Sequence, residues 1–233
     1  MPTFLTRRAL LAWLALPAGC SLQPLAPLQR SPLSGQGLPA VRAPALGQRW
    51  TYKVFNAYNS ALLDTIEETV SKLGPAITIE RRSLKRGELP PEVQIAWGQV
   101  QHDPLWDGVQ TYESPLPIWA EPLLVGAQHA FDSRYRANNA SYHNQISVRS
   151  RVTALEQVTV GAGTFETARI ERYIRLTHPD SSRQNYTRTD TLWFAPLIGR
   201  WVARETNGEY WVLGRKPSQW REDHLRWELQ SWS

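Results

Sequence analysis

Apolar and polar residues alternate with a period of two through most of the chain. Trp50, Tyr52 and Val54 alternate with Thr51 and Lys53, which predicts a strand opening at about residue 46. Ile66 and Val70 lie before Gly74-Pro75, and Ile77 and Ile79 alternate with Thr78 and Glu80 after it. Glu67 and Glu68 would suit a helix here, but the Gly-Pro break between two alternating segments predicts a hairpin. Residues 88–91 read as a loop. From 97 to 124, Trp97, Trp106, Tyr112 and Trp119 are interrupted by Pro104, Pro115, Pro117 and Pro122. Such a stretch predicts short strands and loops pinned to the core by large rings; a ligand platform is the alternative.

The second half alternates more regularly. Ile146, Val148 and Val152 interleave with polar residues, and Val158 to Phe165 reads as strand, glycine turn and new strand. Ala168, Ile170, Ile174 and Leu176 then share one face, with Thr167, Arg169, Glu171, Tyr173 and Arg175 on the other. Residues 178–183 read as a turn, 184–194 as a strand, 195–199 as a turn, and 200–205 as its return. Asn207-Gly208 reads as a tight-turn pair, and 210–213 and 225–232 as the last strands. The chain is therefore expected to be mainly β with few helices: an antiparallel, strongly curved sheet, half-barrel or barrel of about 9–11 strands.

The first 45 residues do not follow this pattern. Arg7 and Arg8 precede an apolar run over 9–16, then Ala18, Gly19 and Cys20. A positive flank, a short apolar core and small residues make an export signal, and the run is too short for a bilayer, which needs about 20 residues. Leu16-Pro17-Ala18-Gly19-Cys20 resembles the lipobox of bacterial lipoproteins, with Pro17 departing from the usual leucine. The resemblance implies signal recognition through Arg7, Arg8, Leu16, Ala18 and Gly19, cleavage before Cys20, and acylation of its thiol with chains such as palmitate. Ser21 in place of Asp implies, by likeness to enterobacterial lipoproteins, the periplasmic face of the outer membrane over retention at the inner one. Thr6 to Leu11 also resembles a twin-arginine motif, so export by either route stays open.

This divides the chain into a signal peptide over 1–19, a lipidated Cys20 with a Pro-rich linker over 20–45, and one β-rich domain over 46–233. Pro24, Pro27, Pro32, Pro39 and Pro44 deny the linker a helix. It is expected to be a solvated tether, with weak attraction of its arginines to anionic headgroups as the alternative, reaching at most about 80 Å and averaging near 30 Å. Its arginines meet no acid before Asp64, the first in the chain.

Composition removes some function classes. Of 233 residues, 42% are hydrophobic and 20% charged, enough for a full core. The net charge of +5 falls to +3 without Arg7 and Arg8, and the charges are mixed, so no basic stripe points to nucleic acid. Cys20 is the single cysteine, so the domain has neither a disulfide nor a thiolate metal site. The sequence holds no G-x-S-x-G elbow, no H-E-x-x-H and no phosphate-cradling loop. His102-Asp103 and Asp223-His224 are strand neighbours that point to opposite faces, and the histidines lack zinc spacing. No catalytic residue, metal site or cofactor is expected.

Two motifs carry a further resemblance. Val158-x-x-Gly161-x-Gly163-Thr164-Phe165-x-x-x-Arg169-Ile170 is followed by Leu192-Trp193-Phe194-Ala195-Pro196-x-x-Gly199-x-x-Val202. With the opening Gly47-x-x-Trp50-x-Tyr52, they resemble uncharacterised periplasmic β-rich domains and lipoproteins of Gram-negative bacteria over about residues 46–206. That family implies fold and compartment, and no activity.

One residue breaks its own pattern. Arg172 falls in phase with Ala168, Ile170, Ile174 and Leu176, and Asp190 falls in phase with Leu192 and Phe194. A buried arginine needs a partner. Arg172 either pairs with Asp190 inside the sheet, meets an anionic ligand in a cavity, or reaches a solvated rim. The expected function is a non-enzymatic binding or scaffold module of the cell envelope, held to the membrane by Cys20 and contacting an envelope protein. The alternative is a carrier of lipid or another apolar ligand in a half-barrel cavity; an enzyme is the third reading.

Overall fold

The computed structural model describes residues 23–33, 37–106, 108–138 and 140–233. Arg7, Arg8, Leu16, Ala18, Gly19 and Cys20 lie outside the described residues. The strands are β1 (Gln29–Pro32), β2 (Arg49–Asn56), β3 (Leu62–Lys72), β4 (Ile77–Ser83), β5 (Gly87–Ala96), β6 (Gln99–Asp103) and β7 (Gln110–Pro117), then β8 (Gln128–Ala137), β9 (Asn144–Val160), β10 (Gly163–Leu176), β11 (Arg183–Ala195), β12 (Arg200–Val212), β13 (Ser218–Arg221) and β14 (Leu225–Trp232). Among the described residues a single 3-10 turn, Pro196–Ile198, joins β11 to β12.

Twelve of these strands close an antiparallel barrel in the order β9-β10-β11-β12-β14-β2-β3-β4-β5-β6-β7-β8, with β8 pairing back onto β9. This exceeds the expected 9–11 strands because β5, β6 and β7 are each paired separately. The 17-residue β9 is shared: its first half pairs with β8, and its far end, Glu156 to Thr159, pairs with β1. β13 pairs only with the end of β12.

Alternation explains the two faces. Trp50, Tyr52, Ile66, Val70, Ile79, Ile170, Ile174 and Leu192 are buried, while neighbours such as Lys53, Glu67, Arg82, Glu171 and Arg175 face outward. A barrel lying in lipid shows the reverse, with an apolar outer band.

Three expectations are corrected. Residues 88–91 are not a loop but part of β5. Leu89 pairs with Arg81 and Glu92 with Ile79, so Pro90 and Pro91 sit at a register shift. A proline has no N–H for the ladder, and a bulge is where a strand tolerates that. Asn207-Gly208 is not a turn either: β12 runs straight through, pairing Asn207 with Thr189 and Gly208 with Arg188. Gly208 is required by close approach, since a Cβ there would lie 2.0 Å from Glu222 Oε2 and 3.0 Å from the Thr187 carbonyl.

The third correction concerns the stretch expected to hang free as a tether. Ser60 Oγ donates to the Gln23 carbonyl at 2.6 Å, and Arg226 Nη2 donates to the Ala26 carbonyl at 2.6 Å. β1 then pairs with β9, the Arg42 N–H donates to the Pro196 carbonyl, and the Gly47 N–H donates to the Val70 carbonyl. Proline excludes a helix but not a strand at a sheet edge, which is what β1 forms. The described part of the segment thus begins at the β2–β3 end, lies against the outer wall at β1, and leads into β2 at the opposite end. That opposite end is closed by rings: Trp97 stacks on Trp50 with centroids 6.3 Å apart, and Trp119 on Phe194 at 4.6 Å. Gly98, at φ +81°, leaves room for Trp119; a Cβ would lie 2.5 Å from its ring.

Candidate functional site: lumen, mouth and wall groove

The lumen is built by the inward positions of the strands, and several of these are charged. Arg172 and Asp190 are directly cross-strand neighbours on β10 and β11. Arg172 Nε donates to Asp190 Oδ2 at 3.1 Å, and its Nη2 makes a second bond to the same oxygen. Arg204, on β12, adds Nε to Oδ1 and Nη2 to Oδ2, each at 2.9 Å. Asp190 is fully buried and both arginines are nearly so. Burial alone would raise the Asp190 pKa, but Arg172 and Arg204 outweigh it and hold the carboxyl well below the usual carboxylate range.

A second cluster has no counterpart in the sequence reading. Arg200, the first residue of β12, donates Nε to Glu68 Oε2 at 2.9 Å and grips Glu92 with two bonds of 2.9 Å. Arg81 Nε donates to the other Glu68 oxygen at 3.2 Å. Gln94 donates to Glu92 at 2.5 Å and accepts from the Gly98 N–H at 2.7 Å. The Arg200 guanidinium lies 4.0 Å from the centroid of the Trp201 ring. Burial opposes its charge, yet Glu68 and Glu92 outweigh this and raise its pKa; burial likewise opposes the charge of Glu92, but Arg200 outweighs it and the Glu92 pKa is lowered.

Asp103 completes the interior. It accepts from the Leu105 N–H at 2.9 Å, from Trp106 Nε1 at 3.0 Å and from the Tyr112 hydroxyl at 3.1 Å. Burial and then Asp103 push the Tyr112 hydroxyl well above its ordinary pKa. Four guanidiniums, Arg81, Arg172, Arg200 and Arg204, thus face four carboxylates, Glu68, Glu92, Asp103 and Asp190. The void between them, lined by Glu92, Asp103, Arg172, Trp201 and Arg204 among others, measures about 10 Å³. That is at most the space of one water probe.

Trp106 plugs the open end of the barrel. It hangs from the β6–β7 connection, with Arg188 stacked 3.9 Å from its ring centroid. Arg188 in turn makes two 2.7 Å bonds to Glu222. On one side of Trp106 the mouth forms a cavity of about 540 Å³ that includes Arg81, Arg86, Tyr210, Arg221 and Trp227. On the other lies one of about 400 Å³ with Ala137, Leu176, Pro179 and Tyr186.

A larger concavity than either lies on the outer wall. It spans about 1060 Å³ and is lined by residues of β7 to β11 and their turns, including Glu113, Asp132, Arg134, Gln145, Arg175 and Asn185. Its charges are partly matched: Arg134 bonds Glu113 at 2.8 Å, and Arg149 bonds Asp132 at 3.0 Å. Among the described residues, no group of three or more His, Cys, Asp or Glu is placed to hold a metal ion. His102 bonds Thr111 at 3.0 Å and His224 bonds Glu205 at 2.5 Å, so neither turns to its sequence-adjacent aspartate.

The sequence placed Arg172 and Asp190 on apolar faces but missed Arg204 and the Arg200 cluster. The signal was present: Glu68 is in phase with Ile66 and Val70, Arg81 with Ile77 and Ile79, and Arg200 with Val202 and Arg204.

No family model matches the sequence, and no curated protein matches it. Two solved structures share its architecture. A candidate lipoprotein from Parabacteroides distasonis ATCC 8503 is 13% identical with a TM-score of 0.51, over 85% of this chain and 100% of that one. A candidate exported protein with YmcC-like fold from Bacteroides fragilis NCTC 9343 is 15% identical with a TM-score of 0.51, over 84% of this chain and 98% of that one. At such identities the likeness is one of fold, and the chain shares the fold of these two proteins.

Proposed function

We propose that this protein is a lipoprotein of the cell envelope, anchored by acylated Cys20 at the periplasmic face of the outer membrane, and that it is a non-enzymatic module binding an envelope protein. The observation that carries the binding reading is the filled, ion-paired lumen. A carrier of acyl chains needs an apolar cavity of roughly 300 Å³ or more. The interior void here is about 10 Å³, with Glu92, Asp103, Arg172 and Arg204 beside apolar residues in its wall, and the cavities of about 540 and 400 Å³ lie outside it at the mouth. A general acid or base works best with a pKa near the operating pH. The lumen groups are pushed the other way, with Asp190 and Glu92 lowered and Tyr52 and Tyr112 raised. On the outside, the wall groove offers a partner mixed charge and hydrogen-bonding groups. The two fold neighbours, a candidate lipoprotein and a candidate exported protein, support the compartment.

A photo-crosslinking residue placed at Gln145 or Asn185, in the groove, is expected to give one discrete protein adduct in intact cells. The same residue at exposed Glu166, away from the groove, is expected to give none. Cys20→Ala is expected to abolish both incorporation of labelled palmitate and the adduct. Equal adducts at Gln145 and Glu166, or palmitate incorporated equally into Cys20→Ala and wild type, would overturn this reading.

A further inference from the structure

The two ends of the barrel are chemically different. The connections β2–β3, β4–β5, β6–β7, β8–β9, β10–β11 and β12–β13–β14 leave one end, as strand alternation in an up-and-down barrel requires. Exposed there are Tyr58, Leu63, Leu84, Trp211, Leu213 and Trp220. Among them stand the exposed cations Lys85, Arg86, Arg215, Lys216 and Arg221, against exposed Glu88, Asp180, Glu209 and Asp223. At the opposite end the exposed apolar side chains are aliphatic: Leu46, Leu73, Ile95, Leu124, Val125 and Leu197. Trp and Tyr beside Lys and Arg form the composition that sits at a membrane–water interface and attracts anionic headgroups.

A second observation comes from where the first described residues lie. The Gln23 carbonyl is held by Ser60 Oγ, and the Leu25 N–H donates to the Ala57 carbonyl at 3.3 Å, both on the β2–β3 connection. Cys20 is three residues upstream of Gln23. Three residues span at most about 10 Å. Once the tether is fastened to the wall in this way, an acyl chain on Cys20 must enter the bilayer close to the aromatic and basic end.

We propose that this end docks on the anionic phospholipid surface into which Cys20 is inserted, with the β12–β13 hairpin seated in the headgroup layer. The hairpin pairs Tyr210 with Trp220 and Trp211 with Gln219, and its tip carries Leu213, Arg215 and Lys216. Exposed Trp211 and Trp220 enter the interface while the cations meet lipid phosphates. Docking turns the mouth toward the membrane; the groove, whose lining includes Tyr142 and the β10–β11 turn at that end, then opens along the side wall beside the lipid surface. The inference rests on acylation of Cys20, and its test separates the two.

The mature protein is reconstituted in vesicles of phosphatidylethanolamine and phosphatidylglycerol, with and without brominated acyl chains, and its intact mass is measured. Brominated lipid is expected to quench the tryptophan emission of the wild type. The double variant Trp211→Ser, Trp220→Ser should stay on the vesicles through its acyl chains but lose more than about half of the quenching. Both residues are exposed, so an unchanged urea midpoint is expected. Bound wild type that is not quenched, or a double variant quenched like wild type, overturns the docking. So does acrylamide reaching these tryptophans equally in bound and free protein, which would leave the end open to a protein partner. If intact mass shows no acyl chain, the anchor reading fails alone. Docking is then tested by sedimenting the same protein with phosphatidylglycerol or phosphatidylcholine vesicles. About tenfold stronger binding to the anionic vesicles supports it, and no binding to either overturns it.

Discussion

Replacing Arg200 with methionine is expected to bring the barrel to the edge of unfolding. The side chain is fully buried and is bonded to both Glu68 and Glu92. Breaking one buried ion pair by removing a partner costs about 3–5 kcal/mol, and here two carboxylates lose their common cation. Total stabilities are about 5–15 kcal/mol, so the loss takes a large fraction. Methionine keeps most of the volume, which separates the charge effect from a cavity. Adding Glu68→Gln and Glu92→Gln should recover part of the loss, because the orphaned charges are then gone. Urea denaturation followed by tryptophan emission reads both. A variant within about 0.5 kcal/mol of wild type, the range of an unremarkable surface change, would mean that the pairs are solvated.

The second large effect is expected at Asp190, and it should exceed that at Arg172. Asp190→Asn orphans two buried guanidiniums, at a cost of about 3–5 kcal/mol. Arg172→Met leaves Asp190 its two bonds to Arg204, so its cost should be nearer about 1–3 kcal/mol. The reverse order would contradict the geometry of the triad. The pH dependence has a definite sign. The unfolded carboxyl titrates near about 3.9, while the folded one lies well below that. Ionised Asp190 therefore stabilises the protein above about pH 4, and the contribution is lost as pH falls toward the folded pKa. Glu92, also lowered, acts in the same direction. Wild type should lose stability steeply from about pH 5 downward, and Asp190→Asn should show a shallower slope over the same window.

Local features of the barrel were legible in the sequence and long-range ones were not. Alternation around Gly74-Pro75 placed the β3–β4 hairpin, and the glycine turn after Val160 placed β9 and β10, because both are contacts between chain neighbours. Barrel closure depends on β8 with β9 and on β14 with β2, and the latter joins residues at opposite ends of the domain. The Glu68–Arg200 bond spans 132 positions, so phase flags each residue but cannot pair them. Arg172 stood out because four apolar residues flank it in phase. Arg204 did not, because in the short segment read as 200–205 only Val202 is apolar and in phase with it. The Asn207-Gly208 turn and the loop at 88–91 failed for a common reason. Gly and Pro were taken as breakers, where Gly208 makes room for Glu222 and the proline pair occupies a bulge. The linker was misjudged because composition excludes a helix but says nothing about docking onto a finished barrel.

The most direct measurement is native mass spectrometry of the detergent-extracted protein. The expected mass is that of a chain starting at Cys20 with covalently attached acyl groups, and with no lipid released when the barrel is unfolded. A stoichiometric, non-covalent apolar ligand that leaves on unfolding would contradict a lumen filled by its own ion pairs.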